Sequence, residues 1–157
     1  MIPRNAIVEI IEEQGGLEKL KEVGHFKIVN SPYMDLNIDY IGKGPNGHPM
    51  IAIAHNYIQN GDVMADPDMQ VEIYCDLLFP VTYQQDSLGI FQEVYETDEK
   101  GKAVGVRPKL KTQLKSFLEK WCSNLRKQGF IEAASVDQNE LIKDSLQDAL
   151  GVTVEVL

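Results

Sequence analysis

The sequence predicts an α+β fold: an antiparallel meander of about five to six strands, with helices packed mainly on one of its faces. Three observations carry that expectation. Apolar residues recur at spacings of three and four at both ends of the chain, the recurrence changes to every second residue over 25–95, and the strand-like runs are joined by turns without intervening helices. Short connections between successive strands suit antiparallel neighbours and leave no length for parallel crossovers.

Asn5 is the expected N-cap of a first helix with Ile7, Ile10 and Ile11 inward. Gly15-Gly16 interrupts it before a second turn bearing Leu17, Leu20 and Val23, and Gly24 ends that turn. The two-residue period then runs through Phe26/Ile28, Leu36/Ile38/Tyr40, Ile51/Ile53, Met69/Val71/Ile73/Cys75 and either Ile90/Val94 or Phe91/Tyr95. On this register Glu72 and Tyr74 face solvent. Breakers stand between the runs: Ser31-Pro32, residues 42–49, Asn60-Gly61-Asp62, Asp66-Pro67, Phe79-Pro80 and Ser87-Leu88-Gly89. Residues 96–105 read as a charged, glycine-containing loop.

The longest helix has Pro108 at its first position, an apolar stripe of Leu110, Leu114, Phe117, Leu118, Trp121 and Leu125, and Gly129 at the left-handed position beyond its end. Such a stripe is expected to cover one face of the sheet. Beyond it, Asp137 to Glu140 resembles a capping box, opening a helix that Gly151 stops, and 152–156 alternate like an edge strand. The chain is expected to form a single domain over 1–157.

At 157 residues, with 43% hydrophobic and 25% charged residues, the composition is that of a globular chain. A chain of this size buries about two-thirds of the surface its unfolded form exposes and needs neither disulfide nor structural metal. No apolar run approaches the roughly 18 residues of a membrane span, and the N-terminus lacks a signal-peptide core, so a cytoplasmic protein without membrane contact is expected. Cys75 and Cys122 are expected to be buried free thiols.

The net charge of −9 is unevenly spread. Residues 107–127 carry seven basic side chains and one acid, Glu119, giving +6 and leaving −15 for the remainder. Lys111, Lys115 and Arg126 fall on one flank of the stripe and Lys109, Lys120 and Lys127 on the other. Lys111, Lys115 and Arg126 are therefore candidate anion-binding residues. A solvated face is the preferred account, because Phe117 and Trp121 point to the core instead of offering bases a stacking platform.

Two polar blocks supply the other candidates. Asn60, Asp62, Asp66 and Asp68 in the first, with Gln84, Gln85 and Asp86 in the second, are candidate partner-binding residues. Asp62, Asp66, Asp68 and Glu72 also carry the oxygens a hard cation needs, but their spacing is not that of an EF-hand, and Asx turns account for Asp62 and Asp66. No metal or cofactor is expected. His55 shares a face with Ile51, Ile53 and Tyr57, which fits a buried, hydrogen-bonded imidazole better than a general base. The glycine-rich run 42–47 lacks phosphate-loop spacing and reads as a hairpin loop.

Residues 57–69 around Asn60-Gly61-Asp62 and Asp66-Pro67-Asp68, 83–95 around Gln84-Gln85-Asp86-Ser87-Leu88-Gly89, and 118–130 with Trp121 and Gln128-Gly129-Phe130 resemble an uncharacterised bacterial family. That family is a domain of unknown function associated with phages, plasmids and conjugative elements, and the likeness covers about 25–130. It implies no activity, cofactor or catalytic residue. The expected function is a non-enzymatic accessory or binding module of a mobile genetic element, with a protein partner at the two polar blocks. The alternatives are a small metal-assisted hydrolase using Asp62, Asp66, Asp68 and His55, and a nucleic-acid-contacting protein or acidic DNA mimic.

Overall fold

A computed structural model describes residues 5–136; the helix and strand expected over 137–156 lie outside the described residues. Asn5 caps α1 (Ala6–Glu13), its Oδ1 accepting the Val8 N–H at 2.9 Å, and Ile7, Ile10 and Ile11 are buried. Gly15 and Gly16, both at positive φ, turn the chain into α2 (Leu17–Val23), which ends where the Gly24 N–H donates to the Leu20 carbonyl. Leu20 is buried, but Val23, expected inward, is 49% exposed. Each three-residue step drifts about 60° around a helix, so two steps carry Val23 off the side that Leu17 began.

Six strands follow in meander order: β1 (His25–Ile28), β2 (Leu36–Lys43), β3 (Pro49–Gln59), β4 (Asp62–Tyr74), β5 (Leu77–Gln85) and β6 (Ile90–Glu93). Every neighbouring pair is antiparallel. Phe26, Ile38, Ile53, Met69 and Tyr83 stand opposite one another across five strands, and all are buried on the helix side. The α+β class and antiparallel sheet are those the sequence predicts.

β5 was not anticipated, because Phe79-Pro80 reads as a breaker. Pro80 in fact pairs with Val71 at a register shift, where a residue without an N–H is tolerated. The polar block therefore divides: Tyr83, Gln84 and Gln85 finish β5, while Asp86–Leu88 make a 3-10 turn closed by Gly89 at φ 62°. Nor are residues 96–105 a plain loop. β7 (Tyr95–Thr97) and β8 (Ala103–Val106) form a second, two-stranded sheet, its turn tied by the Asp98 side chain accepting the N–H groups of Lys100 and Lys102. Asp66-Pro67, expected between strands, lies within β4.

Two expectations on β4 are corrected. Cys75 is exposed: with Asp76 it makes the β4–β5 turn, both at positive φ, which takes it out of the strand's alternation. Glu72 is 0% exposed although Val71, its neighbour on the other face, is also buried, so the register is as expected. What differs is the cover on the outer face. The 44–48 loop folds back over Glu72, whose carboxyl oxygens accept from Asn46 Nδ2 at 2.6 Å, Asn46 N at 3.3 Å and His48 N at 3.0 Å. The β7–β8 hairpin holds the loop from above through an Ala103 N–H to Pro45 carbonyl bond of 3.0 Å.

α3 (Pro108–Lys127) lays Leu114, Leu118, Trp121, Cys122 and Leu125 on the sheet. Gly129, at φ 83°, ends it and starts the short α4 (Phe130–Ala134), whose Phe130 is fully buried. The helices share one hydrophobic cluster with the inner face of the sheet. No described helix is long and apolar enough to cross a membrane.

Candidate functional site

The register between β3 and β4 shifts where Ala54 pairs with Asp68 and Asn56 with Ala65, leaving His55 opposed by both Asp66 and Pro67. One extra residue on β4 makes a bulge, the usual device for re-aiming side chains. Here it turns Asp66 and Pro67 toward the helix side while Asp68 stays on the outer face.

Across from the bulge, Phe117, Lys120, Trp121 and Asn124 descend α3 at helical spacing with Gln128 at its C-cap, and Tyr33 and Met34 close the third side. Together with His55, Asp66 and Pro67 these residues line a pocket of about 400 Å³, within the usual range for small-molecule sites. The loop carrying Tyr33 is fastened to α3 by Asn30 Nδ2 donating to the Gln128 carbonyl at 2.8 Å. The walls are aromatic: the His55 ring lies 5.6 Å from both Trp121 and Phe130, and Phe117 lies 6.1 Å from Trp121.

Asp66 and Trp121 line this pocket, and each carries one side-chain atom, Oδ1 and Nε1, that is buried from solvent without a hydrogen-bond partner among the described residues. A buried polar group left unpaired costs about 1–3 kcal/mol.

His55, 8% exposed, is the buried and bonded imidazole that the sequence suggests, with Nδ1 3.3 Å from the Asp35 carbonyl. Burial pushes its pKa below the ordinary histidine value, against the opposing pull of the Asp35 and Met34 backbone groups and the Asp35 charge. The unfolded chain then takes up a proton near pH 6.5 that the folded chain refuses. Stability is expected to be full above that pH and to fall as the pH drops below it, by at most about 1.4 kcal/mol per unit for one proton. Urea midpoints between pH 7.5 and 5.5 check this, and His55→Gln is expected to flatten the slope.

The remaining candidates disperse. Asn60, at φ 52°, and Gly61 form the exposed β3–β4 turn, with Asp62 at its tip. Asp68 is on the outer face, where desolvation first and the charges of Asp39 and Asp86 next raise its pKa. Asp86 is tied inward: its Oδ2 accepts the Ala65 N–H at 2.7 Å and its Oδ1 accepts from Gln84 Nε2 at 2.7 Å, and these bonds lower its pKa. Gln85 Oε1 accepts from the Tyr83 hydroxyl at 2.7 Å. Asp62, Asp66 and Asp68 thus occupy a turn, a pocket and the opposite face, and among the described residues no three His, Cys, Asp or Glu are grouped to hold a metal ion.

On α3, Lys111 Nζ lies 5.8 Å from the Tyr95 ring and Arg126 pairs with Glu9 of α1 at 2.6 Å. Lys115 and Arg126 both line a largely apolar groove that also carries Asp76 and Glu119, and Lys111 is not among its lining residues. Sequence reasoning assigned Trp121 to the core and passed over Lys120, Asn124, Gln128, Tyr33 and Met34. The available signal was the polar border of the stripe, where 120, 124 and 128 repeat every four residues beside Phe117 and Trp121.

The model of a family described as a domain of unknown function (DUF6908) matches residues 5–131. No curated protein and no solved structure matches the chain. The family match includes α1 and α2, which the likeness read over about 25–130 had left outside, and it contains every residue of the pocket. The chain therefore belongs to this family, a domain of unknown function.

Proposed function

We propose that the protein is a non-enzymatic binding module whose recognition site is the pocket between the β4 bulge and α3. In keeping with the resemblance drawn from its sequence, it serves as an accessory of a bacterial mobile genetic element. The observation that carries the binding reading is the pocket itself, about 400 Å³ between the bulge and α3, walled by Tyr33, Phe117 and Trp121 and bordered by the charged Asp66 and Lys120. An apolar, aromatic-walled concavity with a few polar groups at its border is the usual form of a small-molecule site. The metal-assisted hydrolase reading has less support, because its three carboxylates face different ways.

Trp121 is the single tryptophan of the chain, so its indole N–H resonance reports on this pocket alone. Titrating the protein with amino acids, nucleotides, polyamines and inorganic phosphate is expected to move that resonance saturably with at least one class, and Asp66→Asn is expected to weaken the response. The reading is overturned if no class moves it, or if random-sequence DNA binds submicromolar at physiological salt and a Lys111→Glu, Lys115→Glu variant loses that binding.

A further inference from the structure

Two Asn-Gly dipeptides occur in the chain, Asn46-Gly47 and Asn60-Gly61. We propose that Asn60 is a site of spontaneous covalent modification, converting to aspartate and isoaspartate through a succinimide, and that the fold shields Asn46 from the same reaction.

The chemistry lies within the dipeptide. The backbone nitrogen of the glycine sheds its proton and attacks Cγ of the asparagine. A C–N bond forms, the bond from Cγ to Nδ2 breaks, and the carboxamide nitrogen leaves as ammonia. Water then opens the five-membered ring at one of its two carbonyls, giving aspartate from the side-chain carbonyl of the ring or isoaspartate from the main-chain one, whichever ring bond is cut. Nothing is oxidised or reduced, and solvent water is the co-reactant. Glycine favours the closure because it has no Cβ to crowd the approach.

Solvent reaches both dipeptides, so exposure does not separate them. Hydrogen bonding does. In the β2–β3 connection the nucleophile is occupied, the Gly47 N–H donating to the Gly44 carbonyl at 3.0 Å. The carboxamide is held as well, since Asn46 Nδ2 donates to Glu72 Oε1 at 2.6 Å and the same oxygen takes the Asn46 N–H at 3.3 Å. Ring closure there requires breaking the Gly47 bond and swinging the carboxamide away from a fully buried carboxylate. At the β3–β4 turn neither reacting group is engaged. Gln59 pairs with Asp62, which leaves Asn60 and Gly61, at φ 52° and 85°, as a two-residue loop. The Gly61 N–H and the Asn60 side chain form no hydrogen bond with a described residue.

The two products act differently on the hairpin. Aspartate keeps the main chain and adds one negative charge near Asp62. Isoaspartate routes the main chain through Cβ, and the extra atom does not fit a two-residue turn whose central residues both hold positive φ. The pairs it disturbs first are Gln59 with Asp62 and Ile58 with Val63.

The test uses the full chain and needs no variant to be decisive. The protein is incubated under native conditions and, in parallel, in urea. Peptides containing each dipeptide are followed by mass spectrometry, with chromatography separating aspartyl from isoaspartyl products. In the native protein Asn60 is expected to convert about tenfold or more faster than Asn46, because two hydrogen bonds must first be broken at 46–47. In urea, where both dipeptides are free, the two rates are expected to converge. A Glu72→Ala variant, shown to be folded by its thermal midpoint, is expected to raise the rate at Asn46 and leave that at Asn60 unchanged. The proposal is overturned if Asn46 converts as fast as Asn60 in the native protein, if Asn60 converts no faster than asparagines that glycine does not follow, or if the difference between the two sites persists in urea.

Discussion

Replacing Trp121 by alanine is expected to destabilise the protein by about 3–5 kcal/mol, the range for deleting a large buried aromatic. The indole is 7% exposed, and His55 and Phe117 pack against it from β3 and from its own helix. Its loss opens a hole between α3 and the sheet that neighbouring rings, fixed to separate elements, fill only in part. Trp121→Phe separates packing from polarity. Because Nε1 has no partner to lose, that change is expected to cost far less than truncation, under about 1.5 kcal/mol. Urea denaturation of the two variants checks both. A shift below about 1 kcal/mol for alanine would mean that the indole rests on the surface and does not support the core.

Glu72→Ala is expected to cost about 3 kcal/mol or more, by a different route. The side chain holds the 44–48 loop through three hydrogen bonds from two residues, and removing it takes the acceptor from the part-buried N–H groups of Asn46 and His48. Gly44 shows how closely the loop sits, since a Cβ there would come within 2.5 Å of Glu72 Cγ. Gly44→Ala should therefore be costly in the native chain and much cheaper once Glu72 is alanine, a non-additivity that a double-mutant cycle of unfolding free energies reads directly. Additive costs, or a Glu72→Ala effect within about 0.5 kcal/mol, would show that the loop is held by other contacts. Hydrogen exchange at Asn46 and His48 gives the same answer locally, rising in Glu72→Ala.

What was legible in the sequence is what local chemistry decides. Asn5 caps, Gly24 and Gly129 terminate, Pro108 initiates, and alternation from Phe26 to Ile73 picks the buried face, because each signal acts over a few residues. Illegible features depend on partners distant in the chain. Pro80 reads as a break until Val71 and a register shift are set beside it. Glu72 reads as a solvent residue until a loop more than twenty positions earlier closes over it. Trp121 reads as core, correctly, but the pocket on its other edge is assembled from Tyr33, His55 and Asp66, which no periodicity connects. The glycine-rich run, read as a hairpin loop, is the β2–β3 connection, and the backbone N–H groups of Asn46 and His48 within it donate to the chain's own Glu72.

The single extra residue in β4 also bears on how relatives of this chain should be compared. In most strands a one-residue length difference is absorbed at a turn and carries little meaning. Here, restoring strict pairing between His55 and one residue of β4 would swing Asp66 away from α3 and leave the indole facing a different wall. An aligned gap at 66–67 in another member of the family is therefore expected to mark a rebuilt or missing pocket, even where every aromatic that lines it is retained.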